Sequence, residues 1–159
     1  MAEKQLFIKM VLSAWETQNK RVDNLVDTLA EEQLLKETAA GRNTGIYLFG
    51  HLIAISDGIL PLLGIGERLY PQLEKLFVST PDKSGLQFPP VAELKKYWKE
   101  VNAALSHHFA IMQPGDWFTR HNSVSEEDFT REPHRNKLNI LINRTNHESY
   151  HLGQLNYLK

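Results

Sequence analysis

Apolar residues return every three or four positions over most of this chain, the spacing of helices that bury one face. From Leu6 onward, Phe7, Met10, Val11, Ala14, Gln18, Val22, Leu25, Val26 and Leu29 trace one side of a first long helix. Residues 30–42 turn polar, and Gly41, Asn43 and Thr44 supply a start signal for a second helix, because short polar side chains accept from the unpaired N–H groups of a first turn. Ile46, Phe49, Leu52, Ile53, Ser56, Ile59 and Leu60 form its broad apolar arc, which Pro61, Gly64 and Gly66 end or kink. A short helix is expected over Glu67–Phe77. Pro81, Gly85, Pro89 and Pro90 then mark a loop and the next start.

The third long helix carries Val91, Leu94, Trp98, Val101, Leu105, His108 or Phe109, and Met112 at near-heptad spacing, and Pro114–Gly115 ends it. Residues 116–132 show no sustained period and read as a long ordered loop or lid instead of a helix. Trp117, His121, Glu126, Glu127 and Asp128 within it are candidates for the mouth of a site. After Pro133 the last helix runs from about His134, with Leu138, Leu141, Ile142, Thr145, Ser149 and Leu152 along its buried line. No strand-like alternation and no internal repeat are present. The expected fold is all-α: an antiparallel four-helix bundle with a short extra helix between the second and third, in a single domain over 1–159.

Composition narrows the function classes. A chain of 159 residues with 42% hydrophobic and 23% charged content is expected to bury a core without staples. The formal net charge of -1 and the lack of a basic stripe disfavour nucleic acid. No apolar run approaching a membrane span and no signal-peptide pattern are read, so the expectation is a cytoplasmic protein without a membrane role. The absence of cysteine excludes disulfides, thiolate metal sites and a cysteine nucleophile.

Of the seven histidines, only His147 and His151 stand four apart within an expected helix, one turn apart on one face, where both rings can reach one ion. Random placement of that many histidines would give roughly 0.3 such pairs, so spacing alone is weak. On a helical wheel the pair borders the apolar arc beside Ile140, Leu155 and Leu158, and His51 sits similarly beside Leu48 and Ile55. Two readings stand on these residues: a shared metal ion, or core-edge histidines hydrogen-bonded to their neighbours. Glu148 lies between the pair in sequence but points 80–100° away from either on the wheel, roughly a quarter turn, so it is not placed as a base. Asn146, Tyr150 and Gln154 are close enough to support the imidazoles, with packing or capping the plainer role for each. Trp15 and Trp98 read as core or subunit contacts, and His107 and His108 as facing solvent or a neighbouring helix.

The segments Leu48-Phe49-Gly50-His51-Leu52 and NHESYHLGQL, from Asn146 to Leu155, resemble the DinB/YfiT-like family. The order and length of the helices agree with that family over nearly the whole chain. The resemblance implies a four-helix bundle in which His51 from the second helix, with His147 and His151 from the H-x-x-x-H-x-G-Q motif, binds a divalent metal. It also implies a homodimer, because relatives commonly pair through helices. Relatives in the wider superfamily include S-transferases that use bacillithiol or mycothiol and a mycothiol-dependent maleylpyruvate isomerase. Three neutral imidazoles leave an ion its full charge and an open position, which suits a metal-dependent enzyme acting on a small molecule. Hydrolysis and transfer of a low-molecular-weight thiol are both open. Zinc is the default metal; nickel, iron and copper also accept nitrogen ligands. The alternative is a non-catalytic helical binding or regulatory module that keeps a structural metal or a histidine network.

Overall fold

The computed structural model describes residues 3–159, so Met1 and Ala2 of the expected domain lie outside the described residues. Those described are all-helical, with two isolated β-bridges and no strand. In chain order the helices are α1 (Glu3–Thr28), α2 (Glu31–Leu34), α3 (Gly45–Asp57), α4 (Ile59–Leu63), α5 (Gln72–Glu74), α6 (Val91–Ile111), α7 (Glu126–Arg131) and α8 (Lys137–Leu155). Among the long helices, α1 packs against α8, and α3 packs against both α6 and α8.

α3 is the apolar centre. Its N-cap Thr44 accepts from the Tyr47 N–H at 3.3 Å, and all but two of its side chains are buried, His51 and Ile55 being half-buried. The span Gly45–Leu63 is long and apolar enough to cross a membrane, contrary to the sequence reading, but 72% of it is buried inside the protein. Its apolar surface is taken up by the core, where two groups hold its end in place. Asp57 accepts from the N–H groups of Leu69 and Tyr70 at 2.8 and 2.9 Å, tying the loop after α4 to the end of α3. Gly64 closes α4 in the left-handed conformation, φ 67°, which glycine adopts without steric cost.

Several boundaries move from the sequence reading. The short helix expected over Glu67–Phe77 is three residues of α5 running into a π turn over Lys75–Ser79. Residues 116–132 are not a bare loop: a 3-10 turn spans Asp116–Phe118, and α7 begins where the Ser125 hydroxyl accepts from the Asp128 N–H at 3.0 Å. Six residues are too few for the 3.6-residue period to register. α8 starts at Lys137, because the Asn136 side chain caps it through the Asn139 N–H.

Two helical faces are rotated from expectation. In α1 the buried line is Ile8, Val11, Trp15, Asn19 and Val22, while Phe7 and Met10 are exposed. In α8 the line passes through Thr145, Glu148 and Leu152, not Ser149. A carboxyl has replaced a hydroxyl at the core. Trp15 and Trp98 are both core residues; Trp15 meets Phe109 edge-on at 5.0 Å, and Phe109 also contacts Trp117.

Candidate metal centre

Three imidazoles meet on the seam between α3 and α8. His51 Nε2 lies 3.2 Å from His147 Nε2, and His151 Nε2 lies 3.0 Å from the same atom. One nitrogen from each ring falls within 4.8 Å of the others, and all three residues are half-buried. Tetrahedral zinc with Zn–N bonds of 2.0–2.1 Å would hold its nitrogens about 3.3–3.4 Å apart, close to the two distances seen. The rings cross at 60°, 76° and 84°, so their edges converge instead of their faces stacking.

Two of the rings are turned by acceptors that have no proton to give. His51 Nδ1 donates to the Phe77 carbonyl at 2.7 Å, and His151 Nδ1 donates to Gln154 Oε1 at 2.6 Å. A neutral ring that donates through Nδ1 presents a lone pair at Nε2. Both lone pairs therefore point inward, toward His147. Such outer partners fix ring orientation and tautomer in metal sites.

Electrostatics keep the trio uncharged. Burial pushes all three imidazole pKa values down, most for His147, which falls to about 4. The neighbouring His151 and His51 rings add to the His147 shift, and the Arg144 guanidinium adds a smaller part. A cluster of neutral imidazoles with converging lone pairs is a donor set compatible with a divalent cation.

The local sequence explains why these residues sit so. On α8, a four-residue spacing stacks His147 and His151 on one face. On α3, Gly50 lets the Phe77 ring lie against the helix: a Cβ at position 50 would stand 2.4 Å from that ring. The ring's seat holds the π turn close, and the Phe77 carbonyl then reaches His51. Gly153 of the HLGQ run has no such role, since a Cβ there would meet nothing within 4 Å.

Two sequence readings need correction here. Gln154 is the hydrogen-bond partner of His151 and not merely a packing residue; its three-residue spacing from that histidine was the available signal. The hydrogen bonds and ring contacts of the three imidazoles involve no residue of 116–132. Trp117 packs on Phe109, His121 is buried with its Nδ1 against Ser123, and the Asn122 amide N–H donates to the Leu62 carbonyl beyond α3. The exposed Tyr150 touches the His151 ring edge at 5.1 Å between centroids, Asn146 faces outward, His107 is exposed and His108 half-buried.

Glu148 is the residue that sequence reasoning set aside. It lies about a quarter turn around α8 from the imidazoles and is only 3% exposed. With the Asn19 amide nitrogen turned toward it, that nitrogen stands 3.1 Å from both carboxyl oxygens. Burial, and then the charge of Asp23, push its pKa up to about 8. At neutral pH it is mostly a carboxylic acid held between helices.

A search among curated proteins found no significant match. The family model of the DinB superfamily matches residues 14–155, a span that contains all three imidazoles and the helices that carry them. On that match the chain belongs to the DinB superfamily.

Proposed function

We propose that this protein binds one divalent metal ion, zinc by default, through His51, His147 and His151, and acts with it on a small molecule inside the cytoplasm. The carrying observation is the convergence of Nε2 atoms at 3.0 and 3.2 Å, with two of the rings committed elsewhere through Nδ1. In this reading the four long helices α1, α3, α6 and α8 form an antiparallel bundle whose α3–α8 seam carries the site.

An ion held by three neutral imidazoles keeps its full charge and lowers the pKa of a bound water or thiol, the requirement that hydrolysis and thiol transfer share. The protein's own part is orientation. Phe77 and Gln154 hold the protons on Nδ1, the buried surroundings keep the rings neutral, and Gly50 admits the turn that supplies the Phe77 carbonyl. With no cysteine in the chain, a thiol would come from outside. A low-molecular-weight thiol is the co-substrate this reading favours.

Protein purified without a histidine tag and supplied with zinc is expected to hold about one ion per chain. His147→Ala is expected to hold none. Wild-type protein that stays metal-free by elemental analysis rejects the proposal.

One observation favours a second reading, in which the metal or histidine network is structural. The acidic residue nearest in sequence, Glu148, faces away toward Asn19, and Glu74 is paired with Arg68 at 2.9 Å, so neither is free as a base. Chelator-sensitive, thiol-dependent turnover of an electrophile panel would reject that reading, and metal-loaded protein inert to the whole panel would support it.

A further inference from the structure

Arg144 stands on the same stripe of α8 as two of the imidazoles. Positions 144, 147 and 151 follow the i, i+3, i+7 spacing that lines one helical face. Its side chain is half-buried, and Nε is fully buried with no hydrogen-bond partner. No ion pair or hydrogen bond involves any Arg144 nitrogen among the described residues. Guanidinium groups in such places normally hold a carboxylate or another oxyanion, since five N–H donors and a fixed charge are costly to leave unmatched.

A second guanidinium lies nearby on the α3 side. Arg68 Nη1 donates to the Ala54 carbonyl at 3.0 Å, one turn along α3 from His51, and Nη2 pairs with Glu74 at 2.9 Å. Gly58 leaves room for it, since a Cβ at that position would stand 2.9 Å from Arg68 Nη2. Burial first, and the field of Arg68 second, hold the Arg144 pKa below its usual value. The Arg68 charge thus reaches Arg144, while the carboxylate of Glu74 is paired with Arg68. The Arg144 field also reaches both His51 and His147. The excess positive charge is therefore directed at the imidazole cluster, where an added divalent cation would increase it further.

We propose that Arg144 is the anion-recognition residue of this site, selecting small molecules that carry a carboxylate beside the group offered to the metal. The inference rests on the metal reading above. It names the substrate class: an acid, bound by a planar fork on one side and by the ion on the other. A bidentate guanidinium–carboxylate pair matches both shape and charge, which a lysine would not reproduce. Arg68, already held by Ala54 and Glu74, contributes field without offering a free fork.

The test uses cobalt(II)-loaded full-length protein and two thiol probes, mercaptoacetate and its neutral methyl ester, followed by the sulfur-to-cobalt absorption band. Wild-type protein is expected to bind the acid at least about tenfold more tightly than the ester, with the margin narrowing as salt is raised. Arg144→Gln is expected to lose most of that margin while its cobalt spectrum and helical circular dichroism stay unchanged. Arg144→Lys is expected to fall between the two, and it serves as the decisive variant if Arg144→Gln does not fold. Folded, cobalt-loaded Arg144→Gln that keeps the wild-type preference overturns the inference and leaves the metal reading intact; so does an Arg144→Lys protein indistinguishable from wild type. Protein that takes up no cobalt removes both.

Discussion

The two sides of α8 handle buried titratable groups in opposite ways. On the seam with α3, burial pushes imidazoles down and leaves them neutral with lone pairs aimed at one another. On the side facing α1, burial pushes the Glu148 carboxyl up and leaves it neutral with Asn19 across from it. The physical cause is the same, since removal from water disfavours whichever form is charged. What differs is satisfaction. The carboxyl has its partner inside the protein, whereas two of the three imidazoles have committed their Nδ1 protons outward and turn acceptors toward the third. One side is a tie between helices; the other is a set of nitrogen donors that a divalent cation would match.

That contrast can be broken experimentally. His147→Ala should reduce zinc affinity far more than the roughly 10–100-fold typical of losing an outer partner, while Glu148→Ala should leave affinity within a few fold. Calorimetric titration of both variants checks this, and equal losses would show that the two sides are not independent. Gln154→Ala should cost about 10–100-fold in zinc affinity by freeing the His151 ring; an unchanged affinity would mean that packing alone orients it.

Glu148→Ala should instead cost roughly 1–3 kcal/mol of stability, because Asn19 is left buried without its partner. Urea unfolding of the metal-free protein measures it, and a change under about 0.5 kcal/mol would remove the tie.

The smallest effect is the pH dependence of the metal-free protein. Glu148 has a folded pKa of about 8 against the ordinary 4.5, so the folded state holds the extra proton and this stabilisation is lost as pH rises through 8. His147, at about 4 against 6.5, is the reverse: its contribution is complete above 6.5 and is lost as pH falls toward 4. Between pH 6.5 and 8 only the carboxyl acts within this pair, so stability should decline with rising pH, by at most about 1.4 kcal/mol per pH unit. Glu148→Gln should flatten that limb; an unflattened limb would assign it to another group.

Much of this was legible in the chain because helices register their buried faces in sequence. The α6 line from Val91 to Phe109 and the Thr44 cap were readable directly. The meeting of His51 with His147 and His151 was not derivable from spacing, which relates only residues on one helix; the family resemblance supplied it. Glu148 does turn away from the histidines as its register requires, but its burial left no signal, because a glutamate normally turns outward and its reason to turn inward sits on α1, far away in sequence. The Phe77 carbonyl left no trace at all, since every residue has one. Arg144 did leave a trace, in its register with His147, that charge alone did not flag.

That carbonyl has a consequence for how the site tolerates change. A side-chain acceptor can be deleted by one codon; a main-chain oxygen cannot. Substitutions at Phe77 reach His51 only by altering how the turn seats against Gly50, so they would grade the ring's alignment instead of abolishing its contact. Half of the site's outer support is thereby insulated from direct mutational loss, and selection acting on it would be felt as a constraint on volume at positions 50 and 77.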